Sequence, residues 1–282
     1  MYHAKIFWVI GFLLLAVACG DSNFNPESTW VDAGGHKLNI RCSGEGSPAV
    51  ILGSGLASDN HDWGPVEERV SEFTQICSYD RAGLGESDSV EGVPTAQVAS
   101  DRLHSLLSAA GINGPVVMVG YSYSGLVALL YATQHPENTA GLVLVDSLQK
   151  DNLISAAEIL GEQAMAVFMN AMESNPEGVD MAASIDQVKD VTSLGDLPLT
   201  VITAEMPNLP PFIDRDIRKL LADSWLESQR ALAGLSSAGI NIVAEESGHC
   251  VQCDQPKLVA DSILRNVARA RTARAASRSD RS

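Results

Sequence analysis

The chain has 282 residues, 45% hydrophobic and 19% charged, which is enough to bury a full core and excludes a disordered chain. Its formal net charge of −16 makes nucleic acid and anionic lipid headgroups poor partners for its body; a solvated acidic surface is the simpler reading.

At the N-terminus, Lys5 precedes an apolar run from Ile6 to Ala18. That run is too short to span a bilayer as a helix but suits a signal-peptide core, so residues 1–18 read as a signal peptide. It ends Leu15-Ala16-Val17-Ala18-Cys19-Gly20, similar to the cleavage and lipidation signal of bacterial lipoproteins, although Ala16 stands where leucine is usual. Lipidation at Cys19 and export to the bacterial cell envelope are therefore expected, with simple cleaved secretion as the alternative. Residues 19–29 read as a polar tether, and a membrane is expected as a partner only through Cys19.

Beyond the tether, strand-like runs alternate with helical stretches, the pattern of an α/β protein with a mostly parallel sheet. Strands are expected at Trp30–Ala33, Lys37–Cys42, Ala49–Leu52, Gln75–Tyr79, Val116–Val119, Gly141–Val145, Leu199–Thr203 and Ile240–Ala244. Helices are expected at Ala96–Ala110 and Gly125–His135, among others. Residues 148–196 break the rhythm: they show helical apolar spacing and no strand, and read as a cap inserted into a core of residues 30–147 and 197–267. Met165, Met169 and Met172 in the cap suit packing onto that core somewhat better than lining an apolar pocket. Residues 268–282, with Arg269, Arg271, Arg274, Arg278 and Arg281, form a basic tail that either extends the last helix or frays.

The strongest chemical signal is Val116-Val117-Met118-Val119-Gly120-Tyr121-Ser122-Tyr123-Ser124-Gly125, a strand running into a turn that opens a helix. Small residues flank Ser122, as in a nucleophile elbow, where a strained backbone lifts the hydroxyl above the sheet. Partial positive charge at the helix start favours a developing alkoxide. Ser124 stands where a second glycine is usual.

With this motif in place, the chain from about Trp30 to Val267 resembles the α/β-hydrolase superfamily. Val31-Asp32-Ala33-Gly34-Gly35-His36-Lys37-Leu38 resembles its opening hairpin, and Tyr79-Asp80-Arg81-Ala82-Gly83-Leu84-Gly85-Glu86-Ser87-Asp88 the loop after its fourth strand. Gly141-Leu142-Val143-Leu144-Val145-Asp146-Ser147 resembles its sixth strand, and Ser247-Gly248-His249 with Asp254-Gln255-Pro256 its catalytic-histidine loop. The resemblance implies an α/β-hydrolase fold, an eight-stranded mostly parallel sheet flanked by helices with a helical cap.

It also implies the site. His249 is the expected base; His61, near the oxyanion loop, is the main competitor, while His36, His104 and His135 suit solvent-facing or turn roles. The acid is left open between Asp146, the first choice, and Glu205, with Asp214 a further candidate. Met206 or Pro207 occupies the position after the seventh strand where relatives often carry an aspartate. Amides of Leu56, in the loop Leu52-Gly53-Ser54-Gly55-Leu56-Ala57, and of Tyr123 are expected to form the oxyanion hole. The second and fourth strands are neighbours in this fold, which implies a Cys42–Cys77 disulfide in an oxidising compartment. Cys250 and Cys253 either bond to each other and stiffen the histidine loop or stay free; a metal site there lacks a second cysteine pair.

Cleavage of a small ester-like substrate through an acyl-enzyme is the implied reaction, with no metal or organic cofactor. A carboxylesterase is the first choice; lactonase, thioesterase, amidase and peptidase stay open, as do a cofactor-free haloperoxidase-like perhydrolase and a non-catalytic binding protein of the same fold.

Overall fold

The structure, a computed structural model, describes residues 26–205 and 213–279. The expected signal peptide, Cys19, most of the tether, Met206 and Pro207 lie outside the described residues.

Every expected strand forms within two residues of its expected ends: β1 (Ser28–Asp32), β2 (Lys37–Ser43), β3 (Val50–Gly53), β4 (Ile76–Tyr79), β5 (Val116–Tyr121), β6 (Thr139–Val145), β7 (Leu199–Ala204) and β8 (Gly239–Ala244). They make one eight-stranded sheet in the order β1-β2-β4-β3-β5-β6-β7-β8. β2 is antiparallel to β1 and β4, and all other pairs are parallel. The helices between strands are α1 (Gly64–Ser71), α2 (Ala96–Ala109), α3 (Tyr123–Gln134), α4 (Lys150–Leu160), α5 (Glu162–Glu173), α6 (Met181–Gln187) and α7 (Arg215–Ala233), followed by α8 (Val251–Asp254) and α9 (Pro256–Ser279).

The sheet is buried on both faces, and the two-residue side-chain period of its strands assigns the layers. Met118, Leu142, Leu144 and Val201 pack with Leu103, Leu106 and Leu107 of α2 and Leu126 and Leu130 of α3. Their sequence neighbours Val117, Val119, Val143, Val145 and Ile202 face Val66 and Val70 of α1 and Val259, Ile263 and Val267 of α9 on the other side. The continuous Val/Leu/Met runs of β5 and β6 are thus two interleaved faces, each with its own helical cover.

Between β6 and β7 the described chain forms α4, α5 and α6 and no strand, as expected for the cap segment. Met165 is buried there, and Met169 and Met172 pack against the core. The basic tail does not begin a separate element: α9 runs on past Val267 to Ser279, with Ala270 buried and Arg271 donating to the carbonyls of Ser47 and Phe73. No helix among the described residues is long and apolar enough to cross a membrane.

Candidate active site

Strand ends place the site. β3 and β5 are parallel neighbours in the register Gly53 beside Gly120, so the loops leaving them, Ser54-Gly55-Leu56 and Tyr121-Ser122-Tyr123, run side by side above the carboxyl edge of the sheet. This is also where the strand order reverses, the usual crevice of an open α/β sheet.

Ser122 sits between β5 and α3 with φ 51° and ψ −115°, a backbone that costs a non-glycine residue about 1–3 kcal/mol. Its neighbours hold it there. The Ser122 amide donates to the Val145 carbonyl at 3.1 Å, and its own carbonyl accepts from Gly125 at 3.0 Å. A Cβ at Gly120 would stand 2.4 Å from the Ser124 carbonyl oxygen, so the turn requires glycine at that position.

His249, in the turn after β8, brings Nε2 to 3.0 Å from the Ser122 Oγ. Its Nδ1 lies 2.6 Å from Oδ2 of Asp146, the residue that follows β6. The Asp146 side chain is 1% exposed and the His249 side chain 33%, so the carboxylate is sealed while the imidazole faces the site. Asp146 also has a left-handed backbone, φ 42°, held by a 2.7 Å bond from its amide to the Ile202 carbonyl. Its second oxygen, Oδ1, accepts from the Ala204 amide at 2.9 Å and the Trp225 indole at 2.7 Å.

A profile of the alpha/beta hydrolase family matches residues 50–262. The chain belongs to that family. Among curated relatives, an uncharacterized protein of Bacillus subtilis, YqjL, is 24% identical over 217 residues, spanning 77% of this chain and 82% of YqjL. In two further relatives, a probable transporter of Hormonema carpetanum and an uncharacterized protein of Schizosaccharomyces pombe, the chain matches only 18% of their length. Among solved structures, a thermophilic esterase from Thermogutta terrifontis superposes with a TM-score of 0.63 at 20% identity, covering 86% of this chain and 99% of the esterase. An enol-lactonase from Burkholderia xenovorans superposes with a TM-score of 0.63 at 16% identity, covering 85% of this chain and all of the lactonase. These likenesses establish the α/β-hydrolase fold of this chain.

In this alpha/beta hydrolase the other acid candidates point elsewhere. Glu205 is exposed and accepts from the Glu246 amide at 2.8 Å, bracing the turn after β8. Asp214 caps α7 through the Asp216 and Ile217 amides. His61 is exposed and paired with Asp59 at 3.0 Å. His135 takes the turn role expected of it, closing α3, and its ring stacks on that of His104 at 4.0 Å, with Tyr131 beside them and Nδ1 of His104 buried.

The oxyanion-loop amides of Leu56 and Tyr123 have no acceptor among the described residues. The loop lies against Ser122, since a Cβ at Gly55 would stand 3.7 Å from the Ser122 Cβ. Ser54 is fixed from below by Trp63, whose indole donates to its hydroxyl at 3.1 Å.

Ser124 is more than a tolerated substitute for glycine. Its hydroxyl donates to the Ser54 carbonyl at 2.5 Å and accepts from Nη1 of Arg81 at 2.9 Å. Room for it comes from Gly53, where a Cβ would stand 2.8 Å from the Ser124 Cβ.

The expected Cys42–Cys77 disulfide is present, and of the alternatives left open for Cys250 and Cys253 the structure has the bonded one. Cys42 and Cys77 face each other directly across the β2–β4 pair and are bonded. Cys250 and Cys253 are bonded immediately after His249, in place of a metal site. The same turn is tied by Asp254, whose Oδ2 accepts from the Gly248 amide at 2.8 Å.

Proposed function

We propose that this chain is an exported serine hydrolase that cleaves a small ester-like substrate through an acyl-enzyme. The observation that carries this reading is the continuous chain from Ser122 Oγ through His249 to Asp146, at 3.0 and 2.6 Å, with the hydroxyl at the start of a helix.

In this reading His249 Nε2 takes the Ser122 proton as Oγ attacks the carbonyl carbon, forming a tetrahedral oxyanion. The Leu56 and Tyr123 amides stabilise that oxyanion at the point where charge develops. His249 then protonates the leaving alkoxide, and the ester bond breaks to leave Ser122 acylated. A water molecule, deprotonated by His249, attacks the acyl carbon; the acyl–Oγ bond then breaks, the imidazolium returns its proton to Ser122 Oγ, and the carboxylic acid leaves. Asp146 orients the imidazole through Nδ1 and stabilises its cationic form. The esterase and the enol-lactonase share only the fold, so the ester-like class rests on the site itself.

Two features support export: the apolar leader ending at Cys19, and two disulfides, which persist in oxidising compartments. Cys19 would then carry the lipid that holds the enzyme at the cell envelope. Loss of the membrane-bound fraction on Cys19→Ser is expected; a membrane-bound fraction that survives the change overturns the anchor, and a wild type found only in the soluble exported fraction argues for simple secretion.

Hydrolysis of p-nitrophenyl esters of rising chain length, by wild type and Ser122→Ala, tests the activity. A fall in kcat of about 10⁴-fold or more in the variant is expected. A folded wild type that hydrolyses none of the esters overturns the reading in favour of a binding protein, and peroxide-dependent halogenation faster than hydrolysis overturns it in favour of a perhydrolase.

A further inference from the structure

We propose that Arg81 and Glu177 form a buried clamp through which the cap positions the oxyanion loop for catalysis. The proposal rests on the reading of Ser122 as nucleophile and adds two positioning residues to it.

Arg81 follows β4 and Glu177 lies in the cap between α5 and α6; their side chains are 6% and 3% exposed. The pair is bidentate: Nε of Arg81 donates to Oε2 at 2.9 Å and Nη2 to Oε1 at 2.7 Å. The remaining guanidinium donors all reach the catalytic loops. Nη2 donates to the Gly55 carbonyl at 2.6 Å, and Nη1 to the Ser54 carbonyl at 2.6 Å and the Ser124 hydroxyl at 2.9 Å. All five N–H groups are thereby used. The guanidinium carbon also lies 5.2 Å from the centre of the Tyr123 ring. One side chain therefore touches both segments whose amides face the nucleophile.

Peptide geometry turns these bonds into an aiming device. A trans peptide is planar, so holding the Gly55 carbonyl fixes the Leu56 N–H in the same plane, pointing the opposite way. Glu177 holds the next link, because its Oε1 accepts from the Ala57 amide at 2.5 Å. Ala57 has φ 61°, a left-handed backbone that alanine leaves readily when nothing restrains it. Leu56 is thus fixed on both sides, by Arg81 before it and Glu177 after it.

An apolar pair would join cap to core without the desolvation that a buried ion pair suffers. What the charges add is direction, through a planar fork that lysine cannot reproduce. Burial alone would draw the Arg81 proton off, but Glu177 beside it more than reverses that, and the fork stays cationic. Nothing in the cap sequence around Glu177 signals this role.

The test compares Glu177→Gln, Arg81→Lys and the double variant Arg81→Met/Glu177→Leu, which leaves no unpaired charge. Each is measured on a p-nitrophenyl ester and on its thionoester, with folding checked by circular dichroism. Sulfur accepts hydrogen bonds poorly, so the ratio of kcat/KM for ester over thionoester reports the oxyanion hole, whereas a general loss of structure lowers both rates alike. In Glu177→Gln, kcat on the ester is expected to fall about 10–100-fold with KM changed less than about threefold, and the ratio to fall about tenfold. A ratio within about twofold of wild type in folded variants overturns the clamp and leaves the nucleophile reading intact. Loss of fold in all three variants also overturns it, by making the pair a stability element. A wild type silent toward both substrates overturns the nucleophile reading, and the clamp falls with it.

Discussion

The indole N–H of Trp225 lies 2.7 Å from Oδ1 of Asp146, while Oδ2 of the same carboxylate faces Nδ1 of His249 at 2.6 Å. A residue of α7, far along the chain from β6, therefore fixes the carboxylate that orients the imidazole. Trp225→Phe keeps the ring and removes the donor. With one bond fewer, the Asp146 carboxylate is held less firmly against Nδ1 of His249. We expect kcat to fall about tenfold, from the loss of one bond to a charged group. A kcat within about twofold of wild type in the folded variant contradicts this role.

Two carboxylates compete for the acid in the sequence, and the geometry separates their expected effects. Asp146→Asn removes the charge and turns an amide N–H toward Nδ1, which favours the wrong imidazole tautomer, and is expected to lower kcat by about 10³–10⁴-fold. The Glu205 carboxylate accepts from the Glu246 amide, away from His249, so Glu205→Gln is expected to stay within about threefold of wild type. Ester hydrolysis by the two variants under identical conditions decides between them; a severe loss in Glu205→Gln alone reverses the assignment.

The disulfides differ in what they close. Cys42–Cys77 spans 35 positions and joins β2 to β4, whereas Cys250–Cys253 spans three beside His249. Closing the longer loop removes more chain entropy from the unfolded state, so Cys42→Ala/Cys77→Ala is expected to cost about 3–4 kcal/mol in denaturant unfolding with kcat retained. Cys250→Ser/Cys253→Ser is expected to do the reverse, loosening the His249 turn and lowering kcat with a small change in stability. Exchange of these two outcomes counts against the assignment.

Burial pushes the Asp62 carboxyl up to about 6, with Asp59 adding to the rise and the Ser58 hydroxyl opposing it. A carboxyl whose folded pKa lies above its unfolded value binds extra protons in the folded state across that window. This group's contribution to stability is therefore favourable at acid pH and falls as pH rises from about 4 to 6. Asp62→Asn is expected to raise unfolding stability by about 2 kcal/mol at pH 8 and by little at pH 4. Urea denaturation at the two pH values checks the sign; equal gains at both contradict it.

How far the fold was legible follows from the range of the interactions that set it. β5, the turn at Ser122 and the start of α3 are written in the stretch Val116 to Gly125, because Gly120 and the apolar run act on their immediate neighbours. His249 was legible from its Gly-His context and its place after the last strand. The choice between Asp146 and Glu205 was not, since it depends on which carboxylate turns toward the β8 turn once β6 and β7 pair. Trp225 and Glu177 were missed altogether: they meet their partners across 79 and 96 positions, and no local spacing encodes such a contact. Ser124 read as a weakened motif because the compensating space at Gly53 and the bond from Arg81 come from other strands. The stacking of His104 on His135 was not legible, because it joins α2 to the end of α3.

The most direct measurement is covalent capture of the nucleophile: purified full-length protein is treated with a fluorophosphonate and the modified peptide identified by mass spectrometry. A hydroxyl 3.0 Å from an oriented imidazole is expected to react stoichiometrically, with the adduct on Ser122 and labelling abolished in Ser122→Ala and in His249→Ala. A folded protein that stays unlabelled, or carries the adduct on another serine while Ser122→Ala labels as fast as wild type, contradicts the account.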